Sequence, residues 1–122
     1  MKRSILRGAC FISVLGATML AAGAHAFLDH AEPAVGSAAA SSPRQLKIWF
    51  TDDLVASGCS VQVTDAAGRQ VDKKDARVDD ATKSLYIISL PALPPGTYKV
   101  TWHALCPQGH KTDGNFTFTV RS

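Results

Sequence analysis

Leu93-Pro94-Pro95-Gly96-Thr97-Tyr98-Lys99-Val100-Thr101-Trp102 is the stretch that decides the fold. Two prolines and a glycine make a turn, after which Tyr98, Val100 and Trp102, continued by Ala104, alternate with polar residues. A period of two marks a strand with one face buried. The same alternation recurs at Leu46, Ile48 and Phe50, at Val61 and Val63, and at Phe116, Phe118 and Val120. Turn-forming residues separate these runs: Pro33 to Ser42, Asp65-Ala66-Ala67-Gly68, Asp79-Asp80-Ala81-Thr82, Leu93 to Gly96, and Gln108-Gly109. No stretch beyond residue 24 sustains a helical period, and Ala38-Ala39-Ala40, between Gly36 and Pro43, reads as loop. About seven short strands in about 100 residues predict one all-β domain, an immunoglobulin-like Greek-key sandwich, with no repeat or linker to divide it.

The first 24 residues stand apart. Met1-Lys2-Arg3 and Arg7 precede an apolar run from Ala9 to Ala22, and Ala22-Gly23-Ala24 then offers a small-x-small cleavage site. That order is a secretory signal peptide. The run is too short for a membrane span, which takes about 20 apolar residues. Cys10 is not a lipid-attachment site, because Arg7 occupies the place where such a signal requires an apolar residue. Residues 1–24 are therefore expected to be removed on export to the periplasm, leaving a domain of residues 25–122. Ala24-His25-Ala26 is a competing site that would discard His25. Three of the thirteen basic residues and none of the ten acidic ones lie in the leader, so ten of each sign remain and the exported chain is formally neutral. It carries no electrostatic footprint for nucleic acid or an anionic membrane.

Cleavage after Ala24 makes His25 the first residue, and its chemistry changes. An α-amine titrates near pH ~8 and an imidazole near ~6.5, so both yield their protons to a strongly bound divalent metal at neutral pH. Together they close a six-membered chelate ring of two cis nitrogens, a donor set suited to square-planar Cu(II). His110, in the Gln108-Gly109-His110 turn, supplies a third nitrogen if that turn lies beside the chain start. Water, Gln108 or Asp113 would complete the square, although Gln108 and Asp113 also read as ordinary turn residues. His30, five residues into the exported chain, is a further candidate ligand, whereas His103 lies on the strand face opposite Trp102 and reads as an exposed strand histidine. Neither cut leaves a histidine third in the exported chain, so the N-terminal chelate of that spacing is absent. No nucleophile with a positioned base and no paired carboxylates can be read from the spacing, and no enzyme activity is expected. Cys59 shares the phase of Val61 and Val63, and Cys106 that of Tyr98 to Ala104. Both are expected to point inward, and in an oxidising compartment to form a disulfide. Buried free thiols are the alternative, with a thiolate metal site behind them.

Several segments together resemble the CopC family of periplasmic copper-resistance proteins. They are His25-Ala26-Phe27-Leu28-Asp29-His30-Ala31-Glu32-Pro33-Ala34-Val35-Gly36-Ser37, Val61-Gln62-Val63-Thr64-Asp65-Ala66-Ala67-Gly68, the Leu93 to Trp102 stretch, and Gly109-His110 followed by Gly114-Asn115-Phe116-Thr117-Phe118-Thr119-Val120. The likeness runs in order through nearly all of the exported chain. It implies an immunoglobulin-like periplasmic sandwich that binds Cu(II) through its N-terminal histidine and a second histidine near the last strand, and a monomer is expected. The implied role is copper resistance, homeostasis or delivery, with an inner-membrane copper transporter of the CopD type as partner.

Two departures from the family stand out. Its members usually carry an aspartate ligand two residues before the late histidine, and Gln108 holds that place here. Many also carry a methionine-rich loop, but the only methionines here are Met1 and Met19 in the leader, which excludes a thioether site for Cu(I) in the exported domain. Two other function classes remain open on the residues alone: a metal-free interaction module, if cleavage falls after Ala26, and a copper monooxygenase built on a similar histidine set. N-terminal sequencing of the exported protein should return His25-Ala26-Phe27. A product starting at Phe27 would lack both chelating nitrogens and remove the copper reading.

Overall fold

The computed structural model describes residues 26–122; the leader expected at residues 1–24, and His25 with it, lies outside the described residues. Eight strands follow in chain order: β1 (Leu28–Glu32), β2 (Ala38–Ala39), β3 (Gln45–Phe50), β4 (Ser60–Thr64), β5 (Arg77–Val78), β6 (Leu85–Ser89), β7 (Gly96–Leu105) and β8 (Lys111–Val120). They form two four-stranded sheets, ordered β1-β3-β6-β5 and β2-β8-β7-β4. All pairings are antiparallel except that of β2 with β8. This is the expected all-β sandwich.

The alternating residues meet in its core. Tyr98, Val100, Trp102 and Ala104 of β7 are buried, and so are Phe116, Phe118 and Val120 of β8. The register sets Tyr98 against Phe118 and Trp102 against Gly114. From the other sheet come Leu46, Ile48 and Phe50, all buried. The Phe50 and Trp102 rings meet edge to face, centroids 5.1 Å apart, and so join the two sheets. Gly114 makes room for that indole, since a Cβ there would stand 2.7 Å from Trp102 Cζ2.

Four strands escape a period-two reading, β1 among them because of its irregular register with β3. In β6, Leu85, Tyr86, Ile87 and Ile88 are all buried. Tyr86 and Ile88 join the core, while on the outer face Leu85 is paired with Trp49, and Ile87 lies between Lys47 and Arg77. Neighbours of that size shield both faces of an interior strand. β2 and β5 are two residues long and show no alternation. Ala38–Ala39, expected as loop, is a strand because the β8 edge recruits its backbone: the amides of Thr119 and Arg121 donate to the carbonyls of Ser37 and Ala39, both at 2.9 Å.

The outer edge of β4 is closed by a buried carboxylate. Asp72 Oδ2 accepts the Val63 amide at 2.8 Å, Oδ1 accepts the Lys74 amide at 2.8 Å, and both oxygens accept from Gln70 Nε2 at 3.1 Å. The Val71 amide donates to the Val63 carbonyl at 2.8 Å, so the middle of this edge offers nothing for another chain to pair with. Asp72→Ala would leave two backbone donors without acceptors and should cost about 1–3 kcal/mol. Gly114→Ala, which drives a methyl into the Trp102 ring, should cost about as much. Urea unfolding checks both, and a wild-type midpoint in either variant would contradict the packing described.

Candidate metal centre

The β7–β8 hairpin closes with Leu105 opposite Lys111, leaving Cys106 to His110 as its tip. The Gly109 amide donates to the Cys106 carbonyl at 2.9 Å, and the Cys106 amide to the His110 carbonyl at 3.1 Å. Gly109 has φ +90°, a left-handed conformation that disfavours a side chain. Pro107 presets its own φ at the start of the turn. This is the hairpin loop in which a turn is followed by one left-handed residue. Gln108 and His110 emerge exposed on either side of that glycine.

The first described residues are held at the same end. Ala26 is fully buried, and its carbonyl accepts the Thr112 hydroxyl at 2.5 Å. Thr112 lies two residues beyond His110. The Phe27 amide donates to Thr51 Oγ1 at 2.9 Å, and the Thr51 amide donates back to the Phe27 carbonyl at 2.8 Å. His25 is the residue before Ala26, and consecutive Cα atoms are about 3.8 Å apart. Ala26, the residue after the position expected to carry the amine chelate, is thus held against the strand that follows the His110 turn.

The same register brings in two carboxylates that the sequence reading missed. Leu28 pairs with Phe50, Phe27 bonds to Thr51, and Asp52 and Asp53 follow Thr51 where the chain bends away from β3. Asp52 is half-buried, and its Oδ1 accepts the Asp53 amide at 2.8 Å. An acid pair directly after an alternating strand was visible in the sequence, and the Phe27–Thr51 bonds fix where it leaves β3.

Other expected residues lie elsewhere. Asp113 is paired with His103 on the outer face of the second sheet, one residue out of phase with Thr112 and so turned away from Ala26. His30 sits on β1, on the outer face of the first sheet, stacked on Trp49. Among the described residues, no three of His, Cys, Asp and Glu converge to hold a metal, so a centre at this end depends on His25.

Among the described residues, Cys59 and Cys106 are free thiols, and the expected disulfide between them is not present in the structure. Cys106 is fully buried. Cys59 is half-buried, its thiol donating to the Val55 carbonyl at 3.3 Å and accepting the Leu105 amide at 3.4 Å. Their shared phase does not make them partners. Ser60 pairs with His103, which sets Cys106 two positions beyond the residue facing Cys59. Such diagonal neighbours are about 7–8 Å apart, at or beyond the reach of a disulfide. Burial pushes the Cys59 thiol up from its ordinary range, which lowers its thiolate fraction at neutral pH. A thiol reagent should therefore modify Cys59 slowly in the folded protein and Cys106 only on unfolding. Finding no reactive thiol in denaturant without reductant would overturn this arrangement.

Comparison with known proteins places these features in a family. The CopC domain model matches residues 28–121. Copper resistance protein C of Escherichia coli is 33% identical over 129 residues, covering 99% of this chain and 98% of its own. The crystal structure of CopC from Methylosinus trichosporium OB3b has a TM-score of 0.74 at 28% identity, over 80% of this chain and 94% of that one. PcoC, a methionine-rich copper resistance protein from Escherichia coli, has a TM-score of 0.69 at 28% identity, over 80% of this chain and all of its own.

Proposed function

The chain belongs to the CopC family, and from that membership we propose that it is a periplasmic copper-binding protein that captures Cu(II) at the end of the sandwich where the chain begins. The observation that supports this most directly is the bond from Thr112 to the Ala26 carbonyl, which holds the residue after His25 two positions from His110. Signal cleavage after Ala24 completes the site. The new α-amine and the His25 imidazole take two cis positions, and His110 takes a third as a neutral imidazole. The fourth falls to an oxygen from water, Gln108, or the carboxylate of Asp52 or Asp53.

Gln108 sets this site apart. An amide oxygen brings no negative charge to a divalent cation, so an aspartate there would bind more strongly. The oxidised ion is the suited cargo because amine and imidazole nitrogens favour Cu(II), and the domain from residue 25 onward contains no methionine thioether for Cu(I). The turn residues are exposed, so a partner of the CopD type can approach the metal directly. Binding and handover, without catalysis, is the role this arrangement serves, and a monomer suffices for it.

A competition titration of Cu(II) against a chromophoric chelator tests the site. His110→Ala should weaken binding more than tenfold, and an extra alanine before His25 should weaken it sharply by destroying the amine chelate. Gln108→Asp should tighten it at least tenfold, about 1.4 kcal/mol. Thr112→Val should weaken it severalfold by loosening the chain start. Equal affinity in the His-first and alanine-extended proteins would dismiss the proposed centre.

A further inference from the structure

A histidine remains unused on the opposite side of β1 from the core. β1 is irregular at one point: Leu28 pairs with Phe50 and His30 with Trp49, so Asp29 has no partner on β3. Two residues of β1 against one step of β3 is a β-bulge, a device that re-aims side chains. In a regular strand, Asp29 and His30 would point to opposite faces. Here both are exposed, and the Asp29 carboxylate lies 2.7 Å from His30 Nδ1. The imidazole also lies flat on the Trp49 indole, with ring centroids 4.4 Å apart and planes within 6°.

These contacts determine which nitrogen is available. An ionised carboxylate only accepts hydrogen bonds, so the proton of a neutral imidazole sits on Nδ1 and the lone pair on Nε2. The bond to Asp29 fixes the ring's rotation, and the stack fixes its plane. His30 keeps about half of its side chain exposed, leaving Nε2 open to an incoming ion. A histidine whose other ring nitrogen donates to a carboxylate is the usual form of a metal-bound histidine, more basic and held in one tautomer. The indole adds to this, because positive charge carried onto the imidazole by a metal is attracted to the ring face beneath it. Among divalent first-row ions, an imidazole site of this kind binds Cu(II) most strongly.

We infer that Asp29, His30 and Trp49 form a second Cu(II) site, in which His30 Nε2 binds the metal and Asp29 is the positioning residue. Water or a donor from a visiting molecule fills the remaining positions, so this site is weaker than a histidine-amine chelate and exchanges faster. It stands independently of the centre at the chain start, since none of its groups belongs to that centre.

Trp49 reports on the site directly, because an ion about 2 Å from Nε2 lies close enough to the indole to quench its emission. Cu(II) titrated into the exported protein should quench tryptophan fluorescence in a second, weaker phase after the first equivalent. His30→Phe, which keeps an aromatic ring on Trp49, should abolish that phase and leave the first unchanged. Asp29→Ala should weaken it at least tenfold, and Asp29→Asn, which keeps an acceptor for Nδ1, by less. Trp49→Phe should remove the quenching while equilibrium dialysis still counts two equivalents. The electron paramagnetic resonance signal of the second equivalent should show coupling to one nitrogen and lose it in His30→Phe. A single equivalent bound by the wild type, or a second phase that survives His30→Phe, overturns the inference. Loss of the first phase alone would count against the centre at the chain start and leave this site standing.

Discussion

Ten consecutive antiparallel pairs between β7 and β8, from Gly96 opposite Val120 to Leu105 opposite Lys111, are the constraint on which the rest of the molecule depends. The pairing sends the even-numbered residues of both strands inward, which builds half of the core. It also sets Gly114 under Trp102, and through Trp102 the sheet meets Phe50 of the other layer. A slip of one residue would turn every one of these side chains to the wrong face. The ladder also carries the Gln108-Gly109-His110 turn at its tip, so what holds the core holds His110.

The first sheet, β1-β3-β6-β5, bears on function mainly through its beginning. Just before the edge strand β1, bonds between Phe27 and Thr51 and between Ala26 and Thr112 tie the first described residues to both sheets. The fully buried Ala26 adds an apolar anchor one residue from the expected amine. A chelate made by a chain terminus would otherwise carry the ordering cost of a free end. If the proposed cleavage exposes that amine, anchoring the next residue would meet part of that cost in folding.

The two thiols show how the same ladder sets limits. Cys106 opens the hairpin turn and is buried behind it, while Cys59 is turned toward the backbone of Leu105. Neither reaches the exposed face where Gln108 and His110 stand. The donors exposed at that turn are therefore nitrogen and oxygen, not sulfur.

The alternation of Tyr98, Val100, Trp102 and Ala104, and its counterparts in β3, β4 and β8, made the all-β class and most of the core legible in the sequence, because a period of two is a local property of the strand. The Pro94-Pro95-Gly96 and Gln108-Gly109 turns were legible for the same local reason, and the resemblance to CopC was carried by residues spread in order along the chain. Tertiary structure alone decided the rest. β6 shows no alternation because its neighbours cover both of its faces, and β2 exists only because the edge of β8 bonds to it. The phase of Cys59 and Cys106 was read rightly as inward for Cys106, but register decides whether two inward cysteines meet. Asp29 and His30 share a face because of a mismatch with β3 that no local pattern records. Ala26 and Thr112, 86 positions apart, come together only when both sheets have closed. Propensity and periodicity act over a few residues, whereas a site assembled from the two ends of a chain depends on pairings made across the whole fold.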